Sequence, residues 1–408
     1  MQRFLSAHFC RGGTSKGLFF QDHAFAKVSQ ETRNKIILAA MGSPDPDGRQ
    51  IDGMGGGISS LSKAAILHAP GADHPGPDSA NAFPGVRWAN DLTKSRDEKN
   101  GWDVVYRFCQ VGVREPELDW GSTCGNLVSA AAMTAINWNL VPTKSVLHSL
   151  ANEESTTLPV RILAANNGLI VTAKVPVMLS PSRTVVPITG GDAVISGVPG
   201  TGAPIVLETP ILQAPPRTKN PRETLSMDGN EASLPVIFVS ATHVLSSSHS
   251  ITSSPADLDA DTALMSLIEQ IRVAGAKHAH IPLSSAAPKV CLVGPPSSDN
   301  VDLDIRAVSV GNIHRTVPAT TLSALASAAA IQGTIVQAMS RSHSNAKPVS
   351  VGDVVSLTVG HPAGAASASV KMGSVDGVVR PEAIVYTRTA RLLFEGNVAV
   401  PESVFHET

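Results

Sequence analysis

Aromatic side chains, charges and cysteines are all scarce in this chain of 408 residues. Phe, Tyr and Trp together supply 4%, Asp, Glu, Lys and Arg supply 16%, and there are four cysteines. The 32 Lys+Arg nearly balance 34 Asp+Glu, and no Lys/Arg-rich block or aromatic-interleaved basic stripe is present, which excludes a nucleic-acid binder. No apolar run approaches the roughly 18 residues needed to cross a bilayer, and Met1–Ser6 lacks the long apolar core of a signal peptide. A soluble cytoplasmic protein with no membrane partner is therefore expected. Cys10, Cys109, Cys124 and Cys291 share no CxxC spacing, so neither a disulfide framework nor a zinc knuckle is indicated. His278-Ala279-His280 stands outside any HExxH context, and no metal is expected.

Hydrophobic residues make up 42% of the chain, enough for a large core, and the length suits two domains. The 33 glycines and 29 prolines cut it into short Val/Ile/Leu-rich runs that read as strands. These are 17–20, 104–111, 160–163, 169–175, 236–239, 290–293, 354–359 and 383–389. Four segments read as helices: 29–41, 125–138, 259–274 and 319–332. The class is α+β. The order of elements repeats: strand 17–20, helix 29–41, the turn Ser59–Lys63 and run 64–67 match strand 236–239, helix 259–274, the turn Ser284–Lys289 and run 290–293. Strand 105–111 before Ser122–Asn126 and an Ala-rich helix likewise matches strand 305–310 before Pro318–Thr321 and another. Two similar halves are expected, 1–184 and 185–394, with the tail from about 395 to 408 packing on the first.

Four constellations can carry chemistry. Arg11-Gly12-Gly13-Thr14-Ser15-Lys16-Gly17 puts two cations, two hydroxyls and three glycines in one turn, a composition that suits a carboxylate or phosphate on converging backbone N–H groups. It lacks P-loop spacing and leads into a strand, so nucleotide binding is not implied. Asp52-Gly53-Met54-Gly55-Gly56-Gly57-Ile58-Ser59-Ser60 reads as a flexible loop with exposed N–H groups, ending at Lys63, where burial and neighbouring cations would depress the ammonium and create a base; a surface lysine at a strand edge is the bland alternative. Ser122-Thr123-Cys124-Gly125-Asn126 opens a helix and places a thiol at the positive end of its macrodipole, which favours the thiolate. Gly311-Asn312-Ile313-His314-Arg315 offers a bidentate cation and a histidine before the second Ala-rich helix.

Taken together, RGGTSKG at 11–17, GMGGGISSLSK at 53–63, CGN at 124–126 and His314-Arg315 before a helix resemble the PrpF family of aconitate and methylitaconate isomerases. That resemblance implies a diaminopimelate-epimerase-like fold, two similar domains each formed by a β-barrel-like sheet around a central helix, with the active site in the interdomain cleft. It implies that Lys63 is the main acid/base and Cys124 a second one. Arg11, Thr14, Ser15, Lys16, Ser59, Ser60, Gly125, Asn126, His314, Arg315 and Thr320 would hold substrate carboxylates. Thr320 or Thr321 occupies the place where racemases of this superfamily carry a second cysteine, which argues against a two-thiol racemase. A Thr-Gly pair expected at that helix start is replaced by Pro318-Ala319-Thr320-Thr321. No cofactor is implied, and a homodimer is allowed. The favoured substrate is a small unsaturated tricarboxylate, cis-aconitate, converted to trans-aconitate by an allylic proton shift that can feed itaconate formation. The alternatives are a 2-methylaconitate cis-trans isomerase of propionate breakdown and a non-catalytic accessory protein of an aconitase-like enzyme.

Overall fold

The structure is a computed structural model that describes residues 1–69, 101–121, 123–166, 168–211, 235–279, 283, 287–309, 311–344, 348–375 and 377–405. Of the motifs above, Ser122, His280, Ser284, Ser285, Ala286, Val310 and residues 406–408 lie outside the described residues. The chain divides into two compact units, 1–194 with 200–207 and 388–408, and 195–199 with 208–387. It is α+β and rich in sheet. Among the described residues no helix is long and apolar enough to cross a membrane.

In the first unit β1 (Gln2–Gly12) turns into β2 (Ser15–Gln21), and helix α1 (Gln30–Met41) carries the chain to β3 (Lys63–His68), parallel to β2. β4 (Val104–Val111) runs antiparallel to β3 and to the short β5 (Leu118–Asp119). After helix α2 (Gly125–Asn137), β6 (Thr156–Ala164) lies parallel to β4, and β7 (Leu169–Leu179) pairs antiparallel with β6.

The second unit repeats this wiring. β8 (Val236–Ser240) leads through α3 (Thr262–His278) to the parallel β9 (Lys289–Gly294). β10 (Leu303–Ser309) is antiparallel to β9 and to β11 (Asn312–Ile313). Helix α4 (Ala319–Ala329) then precedes β12 (Val354–His361), parallel to β10 and antiparallel to β13 (Gly364–Val375). β14 (Val378–Arg388) pairs with β13, and β15 (Ala390–Pro401) returns to the first unit to pair with β1 from Gln2↔Pro401 to Gly12↔Ala390.

The two Ala-rich helices are the centres of these units. Every residue of α2 from Asn126 to Ile136, and every residue of α4, is buried, as expected of helices that are apolar all round. α2 packs against β1, β2, β4, β6, β7 and β15, and α4 against β12 and β13. Small residues such as Ala130, Ala131 and Ala132 let strands approach closely. A Cβ on Gly12 would stand 2.5 Å from the Asn126 carbonyl and 3.0 Å from Ser129 Oγ. α1 instead covers the outer face of the sheet. Its buried Arg33, Ile36, Ile37, Ala40 and Met41 form one stripe, whose apolar members pack on Leu18, Phe20, Ala64 and Ile66. Ser29 caps its first turn through a bond from the Thr32 amide.

One expected helix is corrected. The segment 259–274 breaks at Asp261, which is extended and ends a short helix, Pro255–Ala260. Its Oδ1 accepts from the Leu264 amide and starts α3 at Thr262. The carboxylate satisfies an orphan N–H that an unbroken helix would not have exposed.

Gly12→Ala is expected to lower stability by about 1–3 kcal/mol, because the added methyl must push α2 away. Gly190→Ala, whose Cβ would meet nothing within 4 Å, should stay within about 0.5 kcal/mol of the parent. Equilibrium urea unfolding of the two variants measures the difference.

Candidate functional site

The hairpin between β1 and β2 carries the first motif. Gly12 pairs with Ser15, leaving Gly13 and Thr14 as the turn, and Gly13 takes a φ of 51° that glycine adopts without strain. The Gly13 amide donates to the Thr389 carbonyl and the Lys16 amide to the Ser60 carbonyl. The glycines therefore serve close packing, and two amides expected to converge on an anion are engaged inside the fold. Arg11 Nη1 donates to the Gly13 carbonyl (3.0 Å), the Thr389 carbonyl (2.9 Å) and Thr389 Oγ1 (3.0 Å), tying the hairpin to β15. Lys16 holds its ammonium 5.3 Å from the centre of the Phe9 ring.

The glycine-rich loop is also corrected. Met54 and Gly55 donate to the carbonyls of Ala40 and Met41 and so cap the C-terminus of α1, while the Gly57 amide donates to Gln50 Oε1. These three N–H groups are engaged inside the fold, two by orphan carbonyls of α1 and one by Gln50. Gln50, itself buried, also donates to Ser43 Oγ and Ser62 Oγ at 2.8 Å. The loop is thus a fitted collar that delivers Ser59, which is exposed, Ser60, which is half-buried, and Ser62, which is buried, to the start of β3.

Lys63 is the first residue of β3 and is 7% exposed, which removes the reading of a surface lysine at a strand edge. Its position depends on Gly17, where a Cβ would come within 2.6 Å of the Lys63 carbonyl. Burial pushes the ammonium below the ordinary lysine range, and the nearby Cys124, Cys109 and Asp119 act in the opposite sense. Neighbouring cations play no part, so desolvation alone frees the amine. Nζ donates to Gln110 Oε1 at 2.5 Å and lies 5.2 Å from the centre of the Phe108 ring.

Cys124 caps α2 and is half-buried; its Sγ lies 3.8 Å from Ser15 Oγ. Asn126, in the first turn, donates from Nδ2 to Thr14 Oγ1 (3.2 Å) and accepts at Oδ1 from Arg388 Nε (2.8 Å). Gly125 and Asn126 are at the helix start, where N–H groups lack intrahelical acceptors and the macrodipole is positive. One corner of the first unit therefore brings together Thr14, Ser15, Lys63, Cys124 and Asn126, with Arg11, Lys16 and Ser60 bracing it. Its chemistry is a desolvated amine, a thiol and oriented donors beside a helix N-terminus, a set able to move a proton next to a carboxylate.

His314, Arg315 and Thr320 belong to the second unit. His314 Nδ1 bonds with the Thr316 backbone and hydroxyl, Arg315 is exposed, and Thr320 is buried in the first turn of α4. Lys289, missed as a site residue from sequence, begins β9 as Lys63 begins β3, and its Nζ donates to Thr320 Oγ1 at 3.2 Å. The repeat thus keeps the amine and the helix start, with a hydroxyl from the first turn of the helix beside the amine. Gln110 and Arg388 were missed as well. A polar residue near the end of the largely apolar strand 104–111, which also holds Arg107, was the available signal for Gln110, whereas Arg388 is too distant in sequence from Asn126 to carry one.

The chain is similar to known proteins over nearly its whole length. The family model described as PrpF protein matches residues 2–87 and 92–401. The 2-methyl-aconitate isomerase of Shewanella oneidensis is 29% identical, over 98% of this chain and 97% of its own length. That of Cupriavidus necator is 28% identical, over 98% of each. The solved structure of a methylitaconate-delta-isomerase shares the fold, with a TM-score of 0.66 and 26% identity over 100% of this chain and 98% of that one.

The four thiols should differ sharply in reactivity. Cys10, Cys109 and Cys291 are fully buried, burial pushes the Cys10 thiol up to about 12, and the Cys291 thiol is raised by the same cause. Brief treatment of native protein with N-ethylmaleimide, followed by peptide mass spectrometry, is expected to label Cys124 alone, with the other three reacting only after denaturation.

Proposed function

The chain belongs to the PrpF family, its curated relatives are isomerases, and we propose that it isomerises a 2-methylaconitate-type unsaturated tricarboxylate by moving a proton along an allylic system. The observation that carries this reading is the buried Lys63 amine, freed by desolvation and set beside Cys124 and the N-terminus of α2. The names of the relatives favour the methylated substrate over cis-aconitate.

In this reading neutral Lys63 removes a proton from the CH₂ that is α to one carboxylate and allylic to the double bond. The C–H electron pair spreads into a dienolate, in which the former double bond gains single-bond character and can rotate. The proton then returns from Lys63, or from the Cys124 thiol, to either end of the allylic system, so no atom is gained or lost. Negative charge builds on the carboxylate conjugated with the carbanion. N–H donors at the start of α2 are suited to stabilise it, a contribution of about 3–4 kcal/mol for one well-placed donor. Thr14, Ser15, Lys16, Ser59, Ser60, Gly125, Asn126 and Arg11 supply carboxylate contacts from the first unit. Of these, Arg11 has the least to give, because Nη1 already serves three backbone and side-chain oxygens.

Proton NMR in D₂O, with EDTA present, of 2-methyl-cis-aconitate and of cis-aconitate tests the reading. The methylated compound is expected to isomerise faster and to take up deuterium at an allylic carbon; isomerisation of neither would end the proposal. Lys63→Ala should remain folded and lose about 10²–10⁴-fold in kcat. The acid limb of kcat/KM should lie below the ordinary lysine range. Activity appears as pH rises through the depressed Lys63 value, since the base must be deprotonated.

A further inference from the structure

A buried amine needs a partner that holds it without charging it, and the register of three strands supplies one. Lys63 on β3 lies opposite Gln110 on β4, which in turn lies opposite Asp119 on β5. Position 110 thus stands between the lysine and the aspartate in one row across the sheet. Its Nε2 donates to the carbonyls of Ser59 (3.1 Å) and Ser62 (2.8 Å). Backbone carbonyls only accept, so this side of the amide must be the NH₂, and Oε1 must face Lys63 Nζ at 2.5 Å.

We propose that Gln110 is the positioning residue for Lys63: its neutral oxygen takes one hydrogen of the amine, aims the nitrogen lone pair away from β4, and keeps Asp119 one strand removed. The inference rests on Lys63 acting as the base and adds what makes that possible. A neutral lysine donating to an acceptor-only oxygen has its lone pair on another side, available to a substrate proton. An acidic residue at position 110 would instead form an ion pair and hold the lysine protonated. The same carboxamide braces the Ser59–Ser62 turn, so base and turn are set by one side chain. The other groups that act on Lys63 are Cys109 and Phe108 from β4, Cys124 from the start of α2 and Asp119 from β5.

Gln110→Glu and Gln110→Met separate this role from bracing alone. Competitive labelling with acetic anhydride across pH, read by mass spectrometry, reports the titration of Lys63 without any substrate, and exposed Lys144 serves as the internal standard. In the parent protein Lys63 is expected to become reactive at a pH below the ordinary lysine range. In Gln110→Glu its midpoint should move up by about 1–3 pH units, and the acid limb of kcat/KM for 2-methyl-cis-aconitate should move with it. In Gln110→Met kcat should fall across the whole pH range with KM little changed, and Gln110→Asn should not restore it, the shorter side chain being unable to reach both the amine and the turn. A folded Gln110→Glu protein, by circular dichroism, in which Lys63 titrates as in the parent would overturn the proposal. If the Lys63 midpoint moves while kcat/KM does not, Gln110 positions Lys63 as inferred and the assignment of Lys63 as the base is what fails.

Discussion

The total burial of helix α2 is the constraint on which the first unit depends. A helix with no face to water must be enclosed by backbone, and only small residues along it allow strands to come near enough to do so. The contact of Gly12 and Gly13 with Asn126, and the pairing of Asn126 with Thr14 and Arg388, follow from that approach. Its N-terminus, where backbone N–H groups have no partners within the helix, is thereby placed beside Ser15 and Cys124. The position of the site is set by packing before any chemistry is considered.

Desolvation does the electrostatic work there. The groups that act on Lys63 by charge, Cys124, Cys109 and Asp119, all favour the ammonium, yet burial outweighs them. The amine is held toward its neutral form because water is kept from it, with no repelling cation needed. The fold achieves this by beginning β3 after a loop anchored on α1 by the Met54 and Gly55 amides, and by giving Nζ a neutral acceptor. The second unit repeats the wiring with Lys289 against Thr320, and there the group beside the amine is a hydroxyl.

The repeated order of strands and helices was legible in the sequence because Val/Ile/Leu runs, Ala-rich helices and their punctuation recur in both halves. β4 and the start of α2 fall where the pattern placed them. β1 and β15 were not legible. Between Phe9 and Cys10 the register shifts against β15, so alternation changes face within the strand and a period of two is lost. The glycines of residues 11–17 and 53–57 pointed to a special backbone, but sequence cannot tell a glycine that exposes its amide from one that lets a second segment lie against it. Both loops proved to be of the second kind. The site residues supplied by local motifs were legible for the same reason as the motifs, whereas Gln110, Lys289 and Arg388 reach their places only through strand pairing across long stretches of chain.

The pairing of β1 with β15 bears on how the molecule is made. Arg11 and Thr389, joined by two hydrogen bonds, are 378 residues apart in the chain. During synthesis β1 therefore leaves the ribosome long before its edge partner exists, and the second unit is completed in the interval. An apolar strand edge stands open for all of that time, a template for pairing with other chains. The first unit can close only after the second has been translated, so its folding is governed by a very distant contact. Mutations that slow the docking of β15 would be seen first as lost yield, before any loss of turnover by the molecules that do fold.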